Sequence, residues 1–149
     1  MPQGFTTLRN PALTTNSHGQ TENCYYCTVA ALLGMTTDEL VGKTQMMMED
    51  TAKEDQILQL MREAGIAGPT FSTFQTLQSL EQALNTLGTG QAVGVAYRRT
   101  NGSGHMIVAA RDNQGACRYI DYQNTPPTLS AAFPEPAQNI LFAHIFYRA

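Results

Sequence analysis

Two cysteines at the start of a short apolar segment are the residues best suited to covalent chemistry. Cys24 and Cys27 open the segment Cys24–Leu33, which is preceded by Asn23 and followed by Gly34. Asparagine is a good N-cap and glycine a good residue after a helix C-terminus, so the segment predicts a buried helix of about ten residues. The unpaired N–H groups and positive dipole end of a helix N-terminus stabilise a thiolate. Cys24 is therefore the predicted nucleophile, while Cys27, one turn later, is expected to face the core.

The base for such a thiol must come from the three histidines of the chain, His18, His105 and His144. An activated thiol usually relies on a histidine, whose tautomer and orientation are fixed by a third group. His18 lies in a polar N-terminal segment. His144 lies in the last predicted strand without a nearby acid, where a structural role is expected. His105 follows Gly104 at the start of a predicted strand and is the favoured base.

A predicted hairpin brings an acid to His105. The turn sequence Asp112–Gly115 joins the strand that follows His105 to the strand that ends near Asp121. In one register Gly115 is left-handed and His105 lies opposite Gln123, with Asp121 as its diagonal neighbour; in the other, His105 faces Asp121 directly. In both registers the three side chains share one face of the sheet, because strand side chains alternate. Asp121 is therefore predicted to orient the imidazole, provided that the pairing is not displaced by one residue.

The remaining signals divide the chain into a helical half and a sheet half. After an irregular polar arm over residues 1–22, helix signals occupy residues 23–88 and strand signals occupy residues 91–149. Besides the cysteine segment, helices are predicted from Thr36 to about Met48, from Thr51 to Gly65, and along Leu77, Leu80, Leu84 and Leu87. Strands are predicted over residues 92–98, 106–111, 117–122 and 140–147. Residues 65–72 and the proline-rich residues 125–137 are predicted as loops.

Size and composition exclude several classes of protein. A chain of 149 residues is expected to form one domain, residues 1–149, and helix signals followed by antiparallel strand signals indicate the α+β class. A net charge of −3 without a basic tract gives no basis for binding nucleic acid. The apolar segments are far shorter than the roughly 20 residues that span a bilayer, and the N-terminus lacks the basic-then-apolar pattern of an export signal. Neither nucleic acid nor a membrane is an expected partner.

The Cys24-x-x-Cys27 pair also has the spacing of a metal or redox site. A tetrahedral zinc site would need a second CxxC or an HxxxH, and the chain has neither, so we expect no metal and no cofactor. A dithiol redox motif is an alternative, although the polar residues 18–22 do not match the apolar strand that precedes such a motif in thioredoxin-like proteins. A non-catalytic binding module is another, and its binding would survive substitution of the predicted catalytic residues.

Three short motifs, in this order along the chain, carry a resemblance. They are Asn23-Cys24-x-x-Cys27-x-x-Ala30 on a helix, Gly104-His105 at the start of a strand, and Asp121-x-Gln123 at the end of the next. Together they resemble the papain-fold toxin family found at the C-termini of bacterial polymorphic and secretion-system toxins, over residues 23–123. The resemblance implies a papain-like fold in which the nucleophile helix comes first and the helices pack on a C-terminal antiparallel sheet.

The resemblance also implies an activity and a site. It implies a cysteine hydrolase in which Cys24 is the nucleophile, His105 the general base and then acid, and Asp121 the group that orients His105. Family members act as peptidases, glutamine deamidases or sometimes transferases, through a thioester intermediate. Gln123 matches the family position beside the acid. The oxyanion hole is expected to use the backbone N–H of Cys24 and a side-chain donor from the preceding loop, for which Gln20 is the candidate.

Partners and location are likewise expectations from the resemblance. The substrate would be a protein or peptide, and a cognate immunity protein would block the site. Delivery would be by a bacterial secretion system without a signal peptide of the chain's own, with action in the target-cell cytoplasm. The chain departs from secreted papain-type proteases because it has no Trp, has no Gly-Ser between its paired cysteines, and carries Asp121 where those proteases use Asn. These departures argue against general proteolysis.

Overall fold

One antiparallel sheet is the frame of the described part of the chain. The computed structural model describes residues 24–33, 39–40, 54–112, 114–121 and 128–148. Its strands are β1 (Pro69–Phe74), β2 (Ala92–Arg99), β3 (Gly104–Arg111), β4 (Cys117–Asp121), β5 (Thr128–Ser130) and β6 (Ile140–Arg148). Their order across the sheet is β1-β6-β2-β3-β4-β5, and every neighbouring pair is antiparallel. The sheet therefore holds β3 and β4, the two strands of the predicted hairpin, side by side.

Helices precede and interrupt this run of strands. They are α1 (Cys24–Leu33), α2 (Glu54–Glu63) and α3 (Leu77–Leu84), and a 3₁₀ turn over Ala137–Asn139 leads into β6. The end of α2 follows from its sequence. Gly65 has a φ of 97°, and the N–H of Ile66 donates to the carbonyl of Met61 at 3.0 Å. This is the Schellman arrangement, in which a glycine takes the left-handed conformation that closes a helix.

The start of α3 is fixed by a capping box. The Thr76 side chain accepts a hydrogen bond from the N–H of Ser79 at 3.1 Å, and the N–H of Thr76 is bonded to the Ser79 side chain. At the other end of this segment, the Arg111 guanidinium of β3 donates to the carbonyls of Asn85 and Leu87. A cation on carbonyls beyond a helix C-terminus is favourable and ties α3 to the sheet.

The sheet is packed on both faces. We call the face that contains Met106, Val108 and Phe146 the α1 face, because α1 and α2 bury their apolar side chains against it. We call the opposite face, which contains Ile107 and Ala109, the α3 face, because Leu80 and Leu84 of α3 pack there. Since strand side chains alternate, consecutive residues of β3 serve different cores. His105 therefore falls on the α3 face.

The α+β class is confirmed, and so are the bounds of the cysteine helix, Cys24–Leu33. The predicted stripe of Ile57, Leu60, Met61 and Ala64 is buried along and just beyond α2. Of the helix predicted from Thr36, the structure describes Glu39 and Leu40, both helical. Its remainder and the arm over residues 1–22 lie outside the described residues. Among the described helices, none is both long enough and apolar enough to cross a membrane.

Two segments predicted as loops contain strands, so the loop prediction is wrong for both. Pro69–Phe74, inside the predicted loop and helical half, forms β1, and Thr128–Ser130, inside the proline-rich loop, forms β5. Each is an edge strand, where short length and a proline at the first position are tolerated. The expectation that all helices precede the sheet is therefore wrong, because β1 lies between α2 and α3 in the chain.

Candidate active site

The hairpin between β3 and β4 adopts the first of the two predicted registers. The N–H of Asp112 donates to the carbonyl of Ala116 at 2.9 Å, and Gly115 has a φ of 85°. Val108 pairs with Ile120, which extends the same register along the strands. A side-chain oxygen of Asp112 accepts the N–H of Ala116 at 2.9 Å, as aspartate commonly does in a turn. The second register, in which His105 would face Asp121 directly, is wrong.

This register brings His105 and Asp121 together as diagonal neighbours. His105 Nε2 lies 2.7 Å from Asp121 Oδ2, and the two side chains are 14% and 23% exposed. A contact of this length between an imidazole N–H and a carboxylate is a charge-assisted hydrogen bond, and it becomes an ion pair when the ring is protonated. With Nε2 donating to Asp121, Nδ1 is the ring nitrogen that can exchange a proton with a nucleophile. The pair has the geometry of a base and its orienting acid.

A buried hydrogen bond ties α1 to the residue that follows His105. Thr28 Oγ1 donates to the carbonyl oxygen of Met106 at 3.1 Å, and Thr28 is 1% exposed. Met106 is the residue after His105. Sequence reasoning missed Thr28, although a lone hydroxyl within an apolar helix must find an acceptor when it is buried. That requirement is the signal that could have found it.

α1 lies against both β2 and β3. A Cβ on Gly94 would lie 3.6 Å from Leu32 Cδ1, and Gly94 is the strand partner of Val108. Thr28 Cγ2, one turn earlier, would lie 3.5 Å from the same Cβ, and Thr28 Oγ1 also bonds to the carbonyl of Met106, two residues nearer the start of β3. The turn of α1 that contains Thr28 is therefore the one that also contacts the first part of β3. Cys24, the first residue of α1, lies a further turn, about 5.4 Å, along the helix.

α1 and the imidazole belong to different faces of the sheet. α1 packs on the α1 face. The His105 ring instead meets the Tyr97 ring edge to face on the α3 face, with the ring centroids 5.9 Å apart. His105 is the second residue of β3, so its ring can be approached around the end of the strand. The Cys24 side chain lies outside the part of the chain that the structure describes, and so do Gln20, Gln123 and His18.

The other two cysteines occupy different environments. Cys27 is a reduced thiol with 0% exposure in the core of the α1 face. Cys117, in β4, is a reduced thiol that is half-buried, and burial raises its pKa. Within the described ranges, no three His, Cys, Asp or Glu side chains cluster in a way that could hold a metal ion.

His144 has an acidic neighbour, contrary to the sequence-based expectation. Its Nε2 lies 2.8 Å from Glu54 Oε1 at the start of α2, and its Nδ1 lies 2.9 Å from Thr73 Oγ1 in β1. The expectation was wrong because Glu54 is 90 positions away in sequence and is brought in by helix packing. The ring contacts Phe71 and Phe146 on the α1 face, so this second pair and the His105–Asp121 pair lie on opposite faces.

Comparison with known proteins assigns the chain to a family. A family model described as "Papain fold toxin 1, glutamine deamidase" matches residues 22–125, more than half of the chain. This range contains α1, β3 and β4 and therefore the three motifs on which the resemblance was based. A search of the curated proteins gave no match. The resemblance is thus confirmed, and the chain belongs to the papain fold toxin 1 family, whose description is glutamine deamidase.

Proposed function

We propose that the chain is a cysteine-dependent glutamine deamidase in which Cys24 is the nucleophile, His105 the base and acid, and Asp121 the group that orients His105. The observation that carries this proposal is the 2.7 Å contact of His105 with Asp121, one residue before the Met106 carbonyl to which Thr28 of α1 is bonded. The first turn of α1 offers Cys24 the unpaired N–H groups that stabilise a thiolate. The family description supports a glutamine side-chain amide as the reacting group.

The reaction replaces the amide nitrogen by a water oxygen. The Cys24 thiolate attacks the amide carbon, a C–S bond forms, and the former carbonyl oxygen becomes an oxyanion. The C–N bond then breaks, and His105 gives the departing ammonia the proton that it took from the thiol. In the second half His105 takes a proton from water, which attacks the thioester, and the C–S bond breaks. One amide and one water give one carboxylate and one ammonium ion.

Asp121 assists the proton transfers to and from His105. Asp121 accepts a hydrogen bond from Nε2–H of His105, so it favours the tautomer that leaves Nδ1 for the thiol, and it stabilises the imidazolium formed in the first step. Its partial burial strengthens that attraction relative to water. For the oxyanion we propose the backbone N–H of Cys24 and the side chain of Gln20 as donors. We also propose Gln123 as an auxiliary residue beside Asp121.

The thiol and the ring would meet at the end of the sheet. α1 covers one face and His105 lies on the other, so neither core could house the reaction. At the start of β3 the two faces adjoin, and a substrate side chain could enter from beyond the strand end. This location suits a glutamine side chain on a protein surface, because only a few atoms have to reach the sulfur.

The test is a mass measurement on protein substrates with matched cysteine variants. Each deamidation makes the target about 1 Da heavier, because NH₂ is replaced by OH, whereas peptide hydrolysis gives fragments. We expect Cys24→Ala to abolish the mass increase and Cys27→Ala, which changes a buried core thiol, to retain it. An equally active Cys24→Ala variant would exclude Cys24 as nucleophile. Fragments in place of the mass increase would assign a peptidase.

Because the family description contains the word toxin, we also propose that the domain acts as a toxin. The domain would be delivered by a bacterial secretion system and would deamidate a protein in the target-cell cytoplasm. A cognate immunity protein would protect the producing cell by covering the end of the sheet where β3 begins. Expression in a target cell, with and without Cys24→Ala, tests the toxicity directly.

A further inference from the structure

Three aromatic rings stand beside the His105–Asp121 pair on the α3 face. Tyr97 is the strand partner of His105, and the two rings meet edge to face, with centroids 5.9 Å apart and planes at 83°. Phe133 contacts Tyr97 on one side, at 5.1 Å, and Tyr119 on the other, at 5.3 Å. Tyr119 precedes Asp121 by two residues and so shares its face of β4. We call Tyr97, Phe133 and Tyr119 the aromatic wall.

An ion pair connects the segment that carries Phe133 to the strand that carries Tyr97. Phe133 belongs to the proline-rich segment before β6, and Glu135 of the same segment is paired with the Arg99 guanidinium of β2. The Arg99 guanidinium also lies over the Tyr97 ring, 5.3 Å from its centroid. The proline-rich segment, whose sequence predicted only a surface loop, is thus fastened to the strand that carries Tyr97.

The Tyr97 hydroxyl stays protonated. Burial is the main cause that raises its pKa to about 12, and Glu135 and Asp121 add to the increase while Arg99 opposes it. The phenol therefore stays protonated and neutral throughout the physiological range. What Tyr97 offers His105 is a fixed, uncharged ring surface.

We propose that Tyr97 is a positioning residue for His105, and that Phe133 supports it by packing against both Tyr97 and Tyr119. This inference rests on the proposed function for its effect on catalysis, but its geometry does not depend on which reaction is catalysed. The wall holds the imidazole in the orientation in which Nε2 meets Asp121, and it limits the access of water to that bond, whose two side chains are 14% and 23% exposed.

The physical need for such a wall comes from the imidazole itself. The torsion that turns a histidine ring about its Cβ–Cγ bond has broad, roughly two-fold minima, so a single hydrogen bond controls it weakly. Turning the ring over would put a carbon where Nε2 meets Asp121. An edge-to-face contact adds a second constraint on the same ring. Exclusion of water strengthens the bond to the carboxylate, because competing hydrogen bonds are removed.

The experiment reads the His105 ring directly by NMR, in the full chain labelled with ¹⁵N-histidine, together with deamidation kinetics. In the wild type we expect one His105 tautomer, with the proton on Nε2 and slow exchange of that proton with water. Tyr97→Leu and Phe133→Ala are expected to give mixed tautomers or fast exchange. We expect kcat to fall about tenfold to a hundredfold, as for a displaced catalytic group, with KM within about twofold. Tyr97→Phe keeps the ring and is expected to retain the wild-type NMR pattern.

Phe71→Leu is the matched control, because Phe71 is also a partly buried aromatic residue but contacts His144 instead of His105. It should alter the His144 signals and leave those of His105 unchanged. Unchanged His105 signals in Phe133→Ala and in a folded Tyr97→Leu would overturn the inference. If Tyr97→Leu does not fold, Phe133→Ala alone decides. If the wild-type protein deamidates no substrate but Tyr97→Leu and Phe133→Ala lose the His105 Nε2 proton signal, the result supports the inference and refutes the proposed function.

Discussion

The Asp121 carboxylate contacts His105 at the end of β4, so removing it tests the proposed orienting role and leaves Cys24, the proposed nucleophile, unchanged. We predict that Asp121→Ala lowers kcat for deamidation by about 10²-fold to 10⁴-fold, the range typical of impaired proton transfer. The matched control is Asp112→Ala, which removes two turn hydrogen bonds from the same hairpin and should cost about 1 kcal/mol of stability with little effect on kcat. Equal losses of kcat in the two variants would show that the hairpin acts only through its fold.

The thiols differ in their expected reactivity with iodoacetamide. Burial raises the pKa of Cys117, so less of it is thiolate at neutral pH, and its labelling should rise only as the pH exceeds the ordinary thiol range. Cys27 is fully buried and should be labelled only on unfolding. We therefore predict that Cys24 reacts first near neutral pH and that His105→Ala slows Cys24 alone, as measured by peptide mass mapping. Faster labelling of Cys117 at neutral pH would contradict the proposed activation of Cys24.

How much of the site could be predicted depends on sequence separation. His105 and Asp121 could be paired because a short turn with a left-handed Gly115 sets the register of both strands. Tyr97 and Phe133 could not, because the first requires the β2–β3 pairing and the second a packed proline-rich segment. Glu54 was likewise missed as a partner of His144, since no local pattern brings α2 to β6.

At the scale of elements, one side chain joins α1, which carries the proposed nucleophile, to β3, which carries the proposed base. Thr28→Val keeps the shape of Thr28 but removes the donor to the Met106 carbonyl in a buried site. We predict a loss of about 1–3 kcal/mol in the free energy of unfolding, measured by urea denaturation. We also predict a lower kcat in the folded protein, because the start of α1 is no longer tied to β3. Thr28→Ser keeps the donor and is the control; a Thr28→Val variant as stable and active as Thr28→Ser would refute the anchoring role.

Elements were predicted well where the pattern is strong and poorly at the edges of the sheet. The apolar segment of α1 and the 3.6-residue stripe of α2 are unambiguous in sequence. β5 has only three residues, β1 begins with a proline, and most residues of both strands are exposed or half-buried. Edge strands of this kind exist because a neighbouring strand is already in place, and that information is tertiary.

At the scale of the whole molecule, the sheet separates two histidine–carboxylate pairs onto opposite faces. His105–Asp121 lies at a strand end on the α3 face, whereas His144–Glu54 lies on the α1 face, with Phe71, Phe142 and Phe146 around the imidazole. Both ring nitrogens of His144 have partners, on α2 and β1. Such a ring is placed to hold α2, β1 and β6 together.

This separation predicts opposite outcomes for the two histidines. His144→Phe fits the aromatic surroundings but loses two hydrogen bonds, and we expect it to cost about 1 kcal/mol of stability. His144→Ala leaves a cavity and should cost about 2–4 kcal/mol. Both should keep kcat within about twofold once folded, whereas His105→Phe should remove general acid–base catalysis, worth about 10²-fold to 10⁴-fold. Urea denaturation and deamidation kinetics measure the two effects separately. A His144→Phe variant that is stable but inactive would move the catalytic base to the α1 face, because the ring would then matter for its nitrogens and not for its packing.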